Sequence, residues 1–172
     1  MRTYRAAPVC AMGLLLCVSA TPSAASFEED YAKYQLFVDC EPISVGIVFN
    51  SAHATRAGVT EAKIRNYVEG RLRRVGVPLE VSTSVMTAAV YLSVEDRPVI
   101  EGKRDVTRIG IAFWKTMREP FGQQIGYSAT WEYVTLMEPG VEEVAFYVAI
   151  TMGLDKFIEK YGHVNTESCT KR

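Results

Sequence analysis

Three consecutive runs between residues 88 and 137 alternate apolar with polar or small side chains, and a chain carrying them is strongly directed toward a sheet. A strand turns successive side chains to opposite faces, so each run sorts into two sets. In 88–95, Val90, Leu92 and Val94 stand against Ala89, Tyr91 and Ser93. In 105–117, Ile109, Ile111 and Phe113 stand against Gly110, Ala112 and Trp114. In 124–137, Ile125, Tyr127, Ala129, Trp131 and Tyr133 share a face opposite Gln124, Ser128, Thr130 and Glu132. Arg97-Pro98 with Glu101-Gly102, and then Glu119-Pro120-Phe121-Gly122, are turn signals between the runs. Together they read as an antiparallel meander with one covered face.

A covered face needs partners, and two amphipathic segments supply them. Residues 60–75 begin at Thr60, a good N-cap, followed by Glu61 at the positive end of the helix dipole. Ile64, Tyr67, Val68, Leu72 and Val75 then form one apolar stripe, and Gly76 and Pro78 end it. Residues 141–161 carry Glu142 and Glu143 in a first turn and reach a stop at Gly162. Their charge-free middle, 144–154, predicts either a central buried helix or the lining of an apolar groove. Upstream, Leu36, Val38 and Cys40 alternate, as do Val45, Ile47 and Phe49, with a phase slip across Glu41-Pro42. That pattern predicts one bent strand or two short ones over 35–49. Residues 79–85 are also β-rich. The predicted architecture is α+β: a mostly antiparallel sheet of four to five strands with two helices packed on one face, in the order β-α-β-β-β-α. At the level of layers it resembles the small envelope modules of assembly and transport-accessory proteins. No motif carries that resemblance, so no function transfers with it.

The N-terminus predicts an address. Arg2 and Arg5 precede a charge-free stretch through Leu14-Leu15-Leu16, and small residues follow over 19–26, which is the layout of a secretory signal peptide. Its apolar part, 9–20, is shorter than the roughly 20 residues that span a bilayer. Ser23 with Ala25, or Ala24 with Ser26, supplies the small residues that signal peptidase needs, so the mature chain is expected to start at Ser26 or Phe27. The division is therefore a cleaved signal over 1–25 and a single α+β domain over 26–172, exported to the periplasm or the medium. A lipid anchor on Cys17 is the lesser reading, because Leu16 is large where a small residue is wanted. Asp155, Lys156, Glu159 and Lys160 argue against a transmembrane span in the mature chain.

Cleavage removes Arg2 and Arg5, which lowers the basic count from 19 to 17 against 20 acids and leaves a net charge near −3. Nucleic acid is not an expected partner on that balance. Cys10 and Cys17 also leave, so Cys40 and Cys169 remain as one predicted disulfide in an oxidising compartment. The CxxC spacing and histidine partners of redox and metal sites are missing, and neither metal nor cofactor is expected.

Catalytic signatures are sparse. His53 and His163 are the only histidines, and both read as solvated loop or helix-end residues. Gly126-Tyr127-Ser128-Ala129-Thr130 approaches a nucleophile elbow but lies mid-strand and lacks the final glycine. The acid clusters Glu28-Glu29-Asp30 and Glu95-Asp96 read as solvated. Lys63, Arg65, Arg71, Arg73 and Arg74 give the first predicted helix a basic side, with Glu61 and Glu69 placed to pair at i,i+4. Arg71 and Arg74 are its candidate contacts for a partner. Tyr127, Trp131 and Tyr133 read as core aromatics, whereas Tyr34, Tyr91 and Trp114 are the candidate exposed ones. The expected function is a non-catalytic exported binding or assembly accessory module, its partner an envelope protein or a small apolar ligand. The alternatives are a small secreted hydrolase using carboxylates and a secreted enzyme inhibitor presenting loop 119–122.

Overall fold

A computed structural model describes residues 24–80, 88–99, 103–118 and 124–170. Residues 1–23 of the predicted signal and loop 119–122 lie outside the described residues, as does most of the β-rich stretch 79–85. Helix α1 (Ala24–Leu36) comes first, then strand β1 (Ser44–Asn50), a short helix α2 (Ala52–Arg56) and helix α3 (Glu61–Arg74). The meander follows as β2 (Ala88–Val99), β3 (Lys103–Arg118) and β4 (Gln124–Met137), and helix α4 (Glu143–Thr170) closes the chain. One four-stranded sheet runs in the order β1-β2-β3-β4. β2, β3 and β4 pair antiparallel, as their alternation predicts. β1 lies parallel to β2, so the sheet is mixed. The parallel pair follows from the intervening α3, since strands joined by a helical crossover can run the same way.

Leu92 pairs with Ile111 and Ile111 with Tyr133, which aligns the apolar sets of three strands on one face. Ile64, Val68 and Leu72 of α3, and Phe146, Ile150, Leu154 and Phe157 of α4, join them in one buried cluster. Phe157 lies between Phe113 and Trp131, at centroid distances of 5.5 and 5.7 Å. Each fully buried Leu, Ile or Phe here contributes about 1.5–3 kcal/mol. Gly153 lets α4 sit close, because a Cβ there would lie 2.6 Å from Ile111 Cδ1 and Tyr133 Cδ1. A polar ladder joins α3 to α4 above the core, through Lys63–Glu143, Tyr67–Thr151 and Arg71–Asp155.

The start and stop signals of α3 work as read. Thr60 Oγ1 accepts from the Lys63 N–H. At the far end Gly76, at φ +79°, lets its own N–H reach Arg73 O and the Val77 N–H reach Leu72 O. The interleaved acids pair as predicted, Glu61 with Arg65 and Glu69 with Arg73.

Three expectations need correction. The strand predicted over 35–49 is real only for Ser44–Asn50, since Leu36 ends a helix and Asp39 and Cys40 turn the chain at φ +50° and +57°. Leu36 and Ala32, four residues apart, face the core, a helical spacing outweighed by three residues of apparent alternation. Lys115 completes the α1 C-terminus by donating to Tyr34 O and Phe37 O at 3.1 and 2.9 Å. The last helix does not stop at Gly162 but continues to Thr170. Buried Asn165 explains why: its amide donates to Leu36 O and Tyr161 O and accepts from the Val38 N–H, each at 3.0 Å. Those bonds outweigh the ~1 kcal/mol a mid-helix glycine costs. Cys169 on this extension bonds to Cys40, with Cα atoms 5.2 Å apart, so the predicted disulfide is present. Finally, the charge-free stretch of α4 is only half covered. Phe146, Ile150 and Leu154 are buried, while Val144, Val148 and Met152 look outward at i, i+4 and i+8.

Candidate functional site

Helices α3 and α4 pack on the sheet face that carries Leu92, Ile111 and Phe113, and the residues alternating with these form the opposite face. There the register sets Tyr91 beside Gly46 and Ala112, Ser93 beside Val48 and Gly110, and Trp114 beside Ala89 and Ala129. The row is built mostly from small residues. With few large side chains to raise it, this face holds a groove of about 530 Å³. Tyr91, Trp114, Tyr127 and Val48 line it, and Ser93, Arg108 and Glu132 are its charged or hydroxyl contribution. Val48, Tyr127, Val134 and Leu136 remain 43–63 % exposed on this face, more apolar surface than a solvated sheet face needs.

Two glycines shape the floor. A Cβ on Gly46 would lie 2.4 Å from Tyr91 Cε1, and one on Gly110 would lie 2.7 Å from Arg108 Nη1. Each glycine thus admits a large side chain lying across the sheet rather than standing off it. Tyr91 meets Trp114 edge-on, with centroids 5.8 Å apart. Arg108 Nη1 donates to Ser93 Oγ at 3.1 Å, and Nη2 donates to Glu132 Oε1. The Glu132 side chain is half exposed and that of Arg108 about a quarter exposed, so the arginine is the fixed member of the pair.

Of the predicted contact residues, Tyr91 and Trp114 meet in this groove. Tyr34 lies on α1 and Arg71 and Arg74 on α3, among the helices of the other face, and Arg71 is held by Asp155. Sequence parity placed Tyr127 in the core with Trp131. A register shift between Phe113 and Trp114 reverses that phase, so Trp131 pairs with Phe113 and faces the core while Tyr127 pairs with Thr116 on the groove side. The irregularity coincides with Thr130, whose hydroxyl donates to Gln35 O on α1 at 2.6 Å, a tertiary contact with no local sequence sign. The signal that was available is compositional: Ala89, Ser93, Gly110 and Ala112 make one sheet face too small to cover itself.

A second polar centre also departs from expectation. Asp96 is no solvated acid: it accepts from Ser51 Oγ at 2.6 Å, Ala52 N–H at 2.7 Å, His53 N–H at 3.2 Å and Thr107 Oγ1 at 2.9 Å. Burial pushes its carboxyl up, but the hydrogen bonds from Ser51, Thr107, His53 and Ala52 outweigh that and hold it below its ordinary range. His53 is half-buried rather than solvated, its Nδ1 accepting from Arg56 at 3.2 Å. Ser51 Oγ donates to the carboxylate and accepts from the Ala54 N–H, so Ser51 and Asp96 together cap α2 rather than forming a nucleophile and its base. His163 is exposed on α4. Among the described residues lining the groove, Glu132 is the single carboxylate, whereas acid-pair hydrolysis needs two. No cluster of three or more His, Cys, Asp or Glu that could hold a metal occurs among the described residues.

Among known proteins, no family model matches this chain. No curated protein matches it either. Among solved structures, a minor lipoprotein from Acinetobacter baumannii aligns at 14 % identity over 74 % of this chain and 94 % of that one, with a TM-score of 0.26. At that score the likeness carries no argument about function.

Proposed function

We propose that this chain is an exported, non-catalytic binding module that takes up an apolar ligand on the sheet face opposite α3 and α4. One observation carries the reading: a groove of about 530 Å³ lined by aromatic side chains over an Ala/Gly floor, on the sheet face opposite the described helices α3 and α4. That size and apolar lining with a few polar groups match the general character of small-molecule sites. Export is supported by the basic, apolar and small-residue order of residues 1–25 and by the Cys40–Cys169 disulfide, since such bonds persist in oxidising compartments. Among the described residues no helix is long and apolar enough to cross a membrane.

The test is a titration of the oxidised protein with the neutral dye N-phenyl-1-naphthylamine. Dye emission should rise and saturate with wild type. It should fall sharply with Ala112→Phe, which fills the floor without touching the core face. No enhancement, or equal enhancement with the filled groove, refutes the reading.

A further inference from the structure

We infer that the ligand is a single-chain fatty acid, its carboxylate on Arg108 and its alkyl chain lying over the small-residue floor between Tyr91, Trp114 and Tyr127. This rests on the groove reading and goes further by naming the head group. Among the described residues, the charged side chains lining the groove are Arg108 and Glu132, and they bond to each other. Arg108 is anchored: its guanidinium lies across Gly110 and is tied to Ser93. Glu132 is half exposed on β4. A guanidinium has five donors arranged to match a carboxylate, and the described partners of Arg108 use two. Glu132 therefore occupies the position a ligand carboxylate would take, and it can rotate to solvent when one arrives. The anchored member of the pair, Arg108, is complementary to an acid, whereas a cationic amphiphile would have only the half-exposed Glu132 to pair with and would meet Arg108 beside it.

Size agrees with one chain. Taking a methylene as close to the ~30 Å³ of a liquid water, the groove has room for roughly 18 such groups, the size of one long acyl chain. The floor residues Ala88, Ala89, Gly110 and Ala112 and the neighbouring Val48 carry no polar side-chain atom, which suits an alkyl chain.

Calorimetric titration of the oxidised protein with dodecanoate, dodecanol and dodecyltrimethylammonium, each below its micelle concentration, tests the inference. The acid should bind about tenfold tighter than the alcohol, the worth of one charge-assisted hydrogen-bonded pair, and the cation most weakly. Arg108→Met, which keeps the aliphatic stem, should erase the preference for acid over alcohol. Glu132→Gln, which weakens the internal competitor, should strengthen acid binding and leave the alcohol unchanged. Equal binding of acid and alcohol by wild type overturns the head-group assignment while the apolar-groove reading survives. Failure of all three amphiphiles and of the neutral dye overturns both. Association with phosphatidylglycerol vesicles without binding of monomeric dodecanoate also overturns it, since the surface would then be read by a bilayer. The wild-type comparison needs no variant, so a misfolded Arg108→Met leaves the inference falsifiable.

Discussion

Replacing Cys40 and Cys169 together by alanine removes a link across a sequence separation of 129 residues, worth about 5 kcal/mol at 25 °C by chain-entropy arithmetic. A local term acts the other way. Asp39 and Cys40 are held at φ +50° and +57°, and a left-handed residue costs about 1–2 kcal/mol, less for Asp. Part of that cost is recovered if the turn relaxes, although the Asn165 bonds to Leu36 O and the Val38 N–H hold its approach in place. The net loss is then about 2–4 kcal/mol. For a domain of this length each kcal/mol moves the melting point by roughly 2–4 °C, so the variant should melt about 5–15 °C below the oxidised protein. Scanning calorimetry should be run on oxidised wild type, reduced wild type and the double variant. The last two should melt together. If both melt within about 2 °C of the oxidised protein, the covalent link adds nothing that Asn165 does not already supply, and the loop-closure reasoning fails.

Asp96→Asn removes the charge, and with its oxygen kept on the Ala52 and His53 N–H donors it turns an NH2 toward the Ser51 and Thr107 hydroxyls that now donate to Oδ1, so it should cost about 1.5–3 kcal/mol, measured by urea unfolding at pH 7. Because the folded-state carboxyl is held below its ordinary value, its contribution is complete above the unfolded pKa of about 4 and is lost as pH falls through the lower folded value. Wild type should therefore lose its advantage over the variant as the pH drops below about 4, and a constant gap down to pH 2 would refute the assignment. Tyr161→Phe should leave stability unchanged or raise it by about 1 kcal/mol, because its buried hydroxyl has no partner among the described residues. Burial likewise pushes that phenol up to about 12, so the absorbance change lost in Tyr161→Phe should be one that appears only near pH 12. A clear loss of stability in the phenylalanine variant would reveal a partner for it.

What could be read in the residue order divides along physical lines. The meander was legible because Val90, Leu92, Val94 and their counterparts in β3 repeat a local period, and α3 because Thr60 and Gly76 act within one turn of themselves. Errors arose where a distant contact overrides a local signal. Gly162 reads as a stop until Asn165 finds Leu36, 129 positions away. Glu95-Asp96 reads as solvent-facing until Ser51 closes on the second acid across 45 positions. The groove was half legible for the same reason. Tyr91 and Trp114 follow from strict alternation, but Tyr127 changes faces at the β4 irregularity, and Gly46 and Gly110 matter only for what Tyr91 and Arg108 do above them.

The link between Cys40 and Cys169 also sets how the fold would carry load. Every strand and both long core helices lie inside the covalent ring it closes. A pull applied between Ala24 and Thr170 therefore passes along the covalent chain through α1, across the two sulfurs and out, and loads the sheet only through the side-chain bonds of Lys115 and Thr130 to α1. Only the 16 residues from 24 to 39 can pay out, at most about 55 Å of extended chain. Under tension the oxidised protein would behave as a short tether with an intact groove, whereas the reduced protein would put the same force onto the sheet.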